Sequence, residues 1–513
     1  MKRMSKIIKV SLDGWLAPEE SENLYDGRKH VVAGMRNGNI EATIVVLAFN
    51  RLEKTRECIR SILEYTQDVK YKLLLIDNGS TDEGETLRFF QDVPYKDKVI
   101  FHIDRNYGAN TPFKFIYEQI TGRYLAIVAN DIIVTSRWLS NMIKIAESDD
   151  KIGMVNPMSS NVSNLQERRL QFQSYEEMQK IAEKMNISDR TAWHERLRLV
   201  TLGTMYTCEC LYAIGWPIGD VGFFHDFVDD DITFRVRRSG YKAILAGDTW
   251  IHHNHDFRAG ENKAPGEYEH SINIGRKNFK DKYFGIDAWE DVNNYIPMVL
   301  PFITGTSNQY DRILGIDVKC GTPILEIKNK LREFSSSVPL MSAFTQESKY
   351  EIDLKSICNG TVACDREEFL KGYFTPQSFD YIYIGRHINR YHEPLNVLLD
   401  ALSLLKAGGK IFVTLKNAFD IVSFLRIIGV PGFFDAEYCL NYPCEVFENA
   451  IKGIGCEIQC IGSYKKSLEL DGQSQLWLHQ TIKSMSFKDY YQVEEQLMID
   501  YWVYEIKKLK ALL

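Results

Sequence analysis

The feature that most constrains this chain is an alternation of two periods. Between about residues 40 and 160, short apolar runs trade places with stretches of helical spacing. "TIVVLAF" (43–49) is followed by "EKTRECIRSILEY" (53–65), where Ile59, Ile62 and Leu63 fall on one helical face. "KLLLIDN" (72–78), the helical "GETLRFFQDV" (84–93), the strand-like "VIFHID" (99–104), the helical "PFKFIYEQI" (112–120) and "RYLAIVAND" (123–131) continue the series. Such alternation implies a parallel sheet with helices on its faces. Ligands of open α/β sheets gather beyond the carboxyl ends of the strands. Three of these runs end in polar residues there: "FN" (49–50), "IDNGS" (76–80) and "AND" (129–131).

Burying an ionised carboxylate is costly unless it is paired or binds a cation. Asp131, at the end of an apolar run, is therefore read as a ligand for Mg²⁺ or Mn²⁺ held together with a ligand's phosphates. Asp77, in "LLIDNGSTDEG", is placed to receive a polar ligand group. The local alternative is a turn in which Ser80, Thr81 or Asp82 caps the next helix. The loop "DRNYGAN" (104–110) precedes a helix and can turn its backbone N–H groups toward a phosphate or sugar. Asp229, Asp230 and Asp231 open "ITFRVRRSG", a helix with acids at its N-terminus and arginines at its end, as the macrodipole favours. Three adjacent carboxylates exceed that need, and their repulsion raises one pKa toward the range of a general base. The histidines of "TWIHHNH" (249–255) end a strand and serve either as ligands or as structural residues.

At 513 residues the chain is expected to hold two or three domains. Residues 165–200 are charged and mostly helix-like, read as a cover over the sheet edge. After about residue 305 the alternation restarts with "RILGIDV", "FDYIYI" and "GGKIFVTLKN". The last stretch, "SFKDYYQVEEQLMIDYWVYEIKKLKALL", reads as one long helix, apolar around most of its circumference, to be covered by this chain or by a second copy. A net charge of -7 argues against general nucleic-acid affinity. No run is apolar enough to span a bilayer, and the start lacks the apolar segment of a signal peptide, so a cytoplasmic location is expected. The ten cysteines include no CxxC pair and no interleaved histidine, and are read as reduced thiols, not zinc ligands.

In order and spacing, residues 40–260 resemble the family-2-type inverting glycosyltransferases of GT-A fold. "TIVVLAFNR" is similar to that family's opening strand and turn, and "LLLIDNGSTDEG" to its Asp-Asn-Gly-Ser stretch. "NYGANTPFKFIYEQITGRYLAIVAND" follows its Asn-x-Gly, helix and metal-strand course. "FVDDDITFRVRRSGYKAILAGDTWIHH" follows its acidic helix and later histidine. The resemblance implies a nucleotide-sugar site built from Ala48, Asn50, Arg51, Asp77, Asn78, Asn106, Gly108 and Asn130, with Asp77 on the base. It implies Asp131 as the ligand of the Mn²⁺ or Mg²⁺ ion, with His252, or failing that His253, as the second ligand. Asp229 fits the catalytic base and Asp231 the last acid of the stretch, with Val228 in place of the usual Glu. Ala129 departs from the pattern, standing where the family often carries an acid or Asn.

Residues 311–417 resemble the S-adenosylmethionine-dependent methyltransferase fold, through "SFDYIYIGRHINRYHEPLNVLLDALSLLKAGGKIFVTLKN". In the cofactor loop, Lys319 and Pro323 replace two glycines and only Gly321 remains, so S-adenosylmethionine is not expected to bind. The predicted fold is α/β throughout: an N-terminal extension (1–39), a GT-A (Rossmann-like) domain (40–300), a class I methyltransferase-like domain (305–480) and a C-terminal helix (485–513). The implied activity is transfer of a sugar, with UDP-linked N-acetylglucosamine as the family's suggestion, to an acceptor hydroxyl. The acceptor is a Ser/Thr of a bacterial protein such as flagellin, with a glycan or a lipid-linked sugar as alternatives. The alternatives are a methyltransferase acting on a glycan beside a non-catalytic sugar-binding half, and a binding protein without catalysis. The C-terminal helix is the expected contact of a homo-oligomer.

Overall fold

Apolar, β-branched runs become strands where their backbones find neighbours on both sides. The computed structural model describes residues 6–10, 40–108, 111–220, 223, 226–255, 267–305, 310–335, 337–423, 440–465, 472–484 and 490–508. The chain divides into two compact units, Met1–Asn293 and Asn294–Leu513.

The first unit is built on one sheet. Its strands are β1 (Lys6–Val10), β2 (Ala42–Ala48), β3 (Tyr71–Asn78), β4 (Lys98–Ile103), β5 (Tyr124–Ala129), β6 (Ile132–Ile133), β7 (Ile152–Ser159), β8 (Trp193–Glu195), β9 (Thr204–Thr207) and β10 (Lys242–His253). Their order is β1-β4-β3-β2-β5-β9-β7-β10-β6, with β8 pairing β10. Pairing is parallel from β1 through β5 and again between β7 and β10. β9 alone runs against both of its neighbours, β5 and β7. The carboxyl ends of the parallel strands and the start of β9 therefore share one edge.

Ile44, Val46, Leu73, Leu75, Ala126 and Val128 are fully buried in one core, each large aliphatic side chain contributing about 1.5–3 kcal/mol. Helix α1 (Leu52–Tyr65) lays Cys58, Ile59 and Ile62 against it. Of the expected N-terminal extension, the described part, β1, adds an edge strand to this sheet.

Two helical expectations are corrected in this unit. Residues 112–120 form two short 3₁₀ turns, Thr111–Phe115 and Tyr117–Gln119, because the buried Phe113 and Ile116 are three apart, a spacing such a turn satisfies. Within 165–200 the α-helix covers only Tyr175–Met185, capped by Ser174. Elsewhere in that stretch the Gln166 amide binds the backbone of Val200 through both its oxygen (2.6 Å) and its nitrogen (3.0 Å), pinning a loop rather than a helix. The expected helix over "VDDDITFRVRR" is present as α2 (Val228–Arg238), followed by α3 (Glu267–Lys282).

The second unit carries β11 (Arg312–Ile316), β12 (Leu340–Thr345), β13 (Val362–Cys364), β14 (Phe379–Ile384), β15 (Leu405–Lys416), β16 (Cys456–Lys465) and β17 (Ile499–Lys508). The order is β13-β12-β11-β14-β15-β17-β16, parallel through β15. Helix α4 (Thr322–Arg332) starts behind Gly321, whose φ of 105° and 2.4 Å approach to Ile357 leave no room for a side chain.

The expected C-terminal helix is corrected. Only Tyr490–Met498 is helical (α5), and the chain then enters the sheet as β17, antiparallel to both β15 and β16. Tyr501, Trp502, Val503, Tyr504 and Ile506 are strand-forming types, and lodging between two strands pairs both edges of their backbone. Val503, Tyr504 and Ile506 are buried inside this unit, so no second copy is needed to cover them. Residues 485–489 and 509–513 of that expectation lie outside the described residues. Tyr504→Ala is expected to destabilise the second unit by about 3–5 kcal/mol, read as a lowered urea midpoint for its unfolding.

Candidate functional site

One sheet edge collects the sequence-derived residues of the first unit. Ala48 ends β2, Asp77 and Asn78 end β3, and Asn130 and Asp131 follow β5. His252 and His253 end β10 at the same edge, and Thr201 lies there because β9 runs the other way.

Asp131 is brought to the histidines by the antiparallel pairing of β6 with β10, in which Ile132 faces His253. The Asn254 N–H donates to the Asp131 carbonyl (2.8 Å) and continues that pairing. His253 Nε2 lies 3.5 Å from Asp131 Oδ2, and Arg51 Nη1 lies 3.8 Å from the same oxygen. Burial pushes the Asp131 carboxyl up, but His253, the residue's own backbone N–H and Arg51 outweigh it and hold the group below the ordinary carboxylate value. Ligand atoms of Asp131, His253 and His255 all fall within 4.8 Å of one another. The His253 Nδ1 faces the Asn161 carbonyl at 2.9 Å, so it carries the proton there. That fixes Nε2 as the atom offered to Asp131 or to a cation between them, the arrangement usual for a metal-ligating histidine.

His252 lies on the other face of the strand, as alternation requires. Its Nδ1 bonds Ser160 Oγ (2.7 Å), and its ring packs on Trp250 and against the edge of Phe172. Burial, then the charges of His253 and Lys54, push it down to about 4. The first choice of histidine in the sequence is thus corrected: the structure groups His253 and His255, not His252, with Asp131.

At β3, Asp77 is buried and engaged on both oxygens, by Ser80 N–H (3.0 Å) and by His102 Nδ1 (2.8 Å). Asn78 holds the following loop: its amide donates to Asn106 Oδ1 (2.9 Å) and the Gly108 carbonyl (3.0 Å) and accepts from Tyr107 N–H (3.2 Å). Asn78 and Asn106 thus shape the loop, and Gly108 turns it with a φ of 79°. Ala109 and Asn110 of the same motif lie outside the described residues. Asn50 and Arg51 both sit in the left-handed region. Asn50 ties that turn to the Asp77 loop by accepting from Thr81 N–H (2.8 Å) and donating its own N–H to Ser80 Oγ (3.0 Å). Asn130 donates to Thr55 Oγ1 (2.9 Å) and so fastens the Asp131 loop to α1.

The three adjacent acids of α2 have three different surroundings. Asp231 is fully buried and bonded to Arg235 Nε (3.0 Å), Lys282 Nζ (2.6 Å) and Tyr283 OH (2.7 Å). Burial pushes its carboxyl up, but Arg235, Lys282 and Tyr283 outweigh that and hold it low. It anchors α2 to α3 and is closed to a substrate. Asp230 is buried against Arg198, and burial, opposed by that guanidinium, raises it to about 6. The raised member of the trio is therefore Asp230, with burial a larger cause than repulsion. Asp229 is the half-buried one, its carboxylate accepting the Thr201 hydroxyl.

His102, Thr201 and Arg198 escaped the sequence reading, and His255 was included there only as one of the three histidines of "TWIHHNH". His102 is a polar residue inside the apolar "VIFHID", and His255 closes "TWIHHNH", so both carried a local signal. Thr201 and Arg198 carried none.

Residues 43–197 match the family model described as Glycosyl transferase family 2, so the first unit carries a domain of that family. A curated relative, an undecaprenyl-phosphate 4-deoxy-4-formamido-L-arabinose transferase of Sodalis glossinidius, is 24% identical over 119 residues. That match covers 22% of this chain and 36% of the relative's length. The solved structure of GalNAc-T7 with UDP, GalNAc and Mn²⁺ is similar with a TM-score of 0.37 and 12% identity, over 57% of this chain and 61% of the other. The YcgJ protein of Bacillus subtilis gives a TM-score of 0.28 and 10% identity, over 41% and 97%.

Two outcomes are expected. His253→Ala weakens Mn²⁺ binding at least about tenfold while His252→Ala retains it, measured by titration calorimetry. Because Asp231 is held low, its stabilisation is complete above its unfolded pKa of about 3.9 and is lost as pH falls through the lower folded value. Asp231→Asn is therefore expected to lose about 3–5 kcal/mol at neutral pH and to show a flatter acid limb in denaturant melts.

Proposed function

We propose that this chain is an inverting glycosyltransferase that moves a sugar from a nucleoside-diphosphate sugar to an acceptor hydroxyl, with the site in its first unit. The observation that carries this reading is the meeting, on one sheet edge, of a buried carboxylate (Asp77), an Asp131–His253–His255 group and the half-buried acid Asp229. The mixed α/β architecture and the family match over residues 43–197 are consistent with a GT-A domain.

Asp77 receives the base, and the loop shaped by Asn78, Asn106 and Gly108 borders the nucleotide with Ala48, Asn50 and Asn130. Asp131, His253 and His255 form a mixed carboxylate and imidazole donor set, which suits Mn²⁺ better than the all-oxygen preference of Mg²⁺. When bound there, the cation supplies Lewis-acid neutralisation of the diphosphate. Arg51, next to Asp131, adds a positive charge beside that group where Ala129 leaves one carboxylate fewer. Asp229 takes the proton of the acceptor hydroxyl as its oxygen attacks the anomeric carbon, and Thr201 orients the carboxylate. Asp231 positions α2 and takes no proton.

The donor within this reading is a UDP-sugar, with N-acetylglucosamine as first choice, and the acceptor a protein Ser/Thr, as in flagellin, or a glycan. No helix among the described residues is long and apolar enough to cross a membrane. A cytoplasmic location goes with the same reading. For the second unit, the strand order with β17 inserted antiparallel supports a class I methyltransferase-like fold. S-adenosylmethionine does not fit it. Lys319 occupies a left-handed position suited to glycine, Pro323 opens α4, and Gly385 packs so closely that a Cβ there would lie 2.5 Å from the Asp317 carbonyl.

Asp229→Asn is expected to lower sugar transfer by about 10²–10⁴-fold while UDP still binds in the presence of Mn²⁺. Full turnover in the variant would remove Asp229 as the base. Failure of UDP, GDP and dTDP alike to bind the native chain would remove the reading itself.

A further inference from the structure

We infer that His102 is a positioning residue for nucleobase recognition: it locks the Asp77 carboxylate so that only a base offering an imide or amide N–H is accepted. The inference rests on the proposed nucleotide-sugar reading of this edge and adds a residue and a selection rule to it.

The parallel registers of β2, β3, β4 and β1 place Ala48, Asp77, His102 and Lys9 in one row across the sheet. Paired residues of neighbouring strands share a face. Ala48 next to Asp77 keeps one flank small. On the other flank His102 Nδ1 lies 2.8 Å from Asp77 Oδ2, and Ser80 N–H holds Oδ1 at 3.0 Å. A carboxylate only accepts, so Nδ1 of His102 must carry a proton. With one donor on each oxygen, the carboxylate cannot turn, yet each oxygen keeps a further lone pair.

The exposures divide the labour. The Asp77 side chain is 2% exposed and that of His102 33%. Water cannot replace the histidine at the buried oxygen, so its removal leaves an acceptor short of a partner and free to change rotamer. Water does reach the histidine, whose ring spans from the carboxylate to the surface.

A fixed acceptor pair reads bases by their hydrogen-bonding edge. Uracil and thymine offer N3–H, and guanine offers N1–H. Cytosine and adenine offer an exocyclic amino N–H on that edge, but their ring N3 or N1 beside it is a lone pair that would face the carboxylate repulsively. Selection of this kind comes from the clash with the wrong base as much as from the bond to the right one.

The test is calorimetric titration of the full chain with Mn²⁺ present, using UDP, CDP and inorganic pyrophosphate, for the native protein, His102→Leu and His102→Asn. The expected result is that His102→Leu weakens UDP about tenfold, narrows the UDP-to-CDP ratio, and leaves pyrophosphate unchanged. His102→Asn, whose amide can donate from near the Nδ1 position, restores most of the UDP affinity and the ratio. Unchanged UDP binding in His102→Leu overturns the inference and leaves the nucleotide site standing. Equal loss of UDP and pyrophosphate also overturns it, since the defect would then be general. If the native chain binds pyrophosphate but prefers no nucleotide, base recognition at Asp77 fails and the inference fails with it.

Discussion

Two cross-strand pairs hold the candidate site together: Ile133 opposite His252 and Ile132 opposite His253. The meeting of Asp131 with the histidines follows from this short antiparallel contact. The strand carrying the histidines is parallel to β7 and begins at the far edge, so its last residues arrive at the edge where β5 ends. The two-residue β6 then turns the Asp131 loop against them. Without it, Asp131 would be a buried acid with only the guanidinium of Arg51 nearby. With it, the acid gains an imidazole whose proton is already fixed by the Asn161 carbonyl.

Buried charge is distributed with the same economy elsewhere in the first unit. Asp231 has three donors and Lys282 a second acid, Asp220, at 2.8 Å, so the network is neutralised within itself. Such a network fixes geometry more than it adds stability, because desolvation offsets most of the Coulomb gain. Its effect is to set the first turn of α2, and therefore the place of Asp229. The acid one residue away, Asp230, spends its charge on Arg198. Three carboxylates adjacent in sequence thus become an anchor, a buried ion pair and a half-buried acid facing Thr201 because a helix points successive residues in different directions.

The second unit keeps an α/β frame, and polar groups at its strand ends bond to near neighbours. Asp317, where a ligand group would be received, accepts instead from Gln346 through its backbone N–H (2.8 Å) and side-chain amide (3.0 Å). His387 is buried on the Thr414 hydroxyl, and burial pushes it down to about 3.

The sequence by itself determined the alternation, the strand ends and the residue types gathered there, because burial patterns of period 2 and 3.6 are local properties. Asp77, Asp131 and Asp229 were legible for that reason. The sequence did not determine the end of the chain, where "IDYWVYEIKK" is apolar enough for a helix but becomes a strand only because β15 and β16 leave a gap of its width. Nor did it separate His252 from His253, since neighbours in sequence share composition and differ only in the direction they face. His102 needed a register between strands to acquire its partner. Tertiary structure decided these because pairing across a sheet depends on which strands meet, and no local run of residues encodes that.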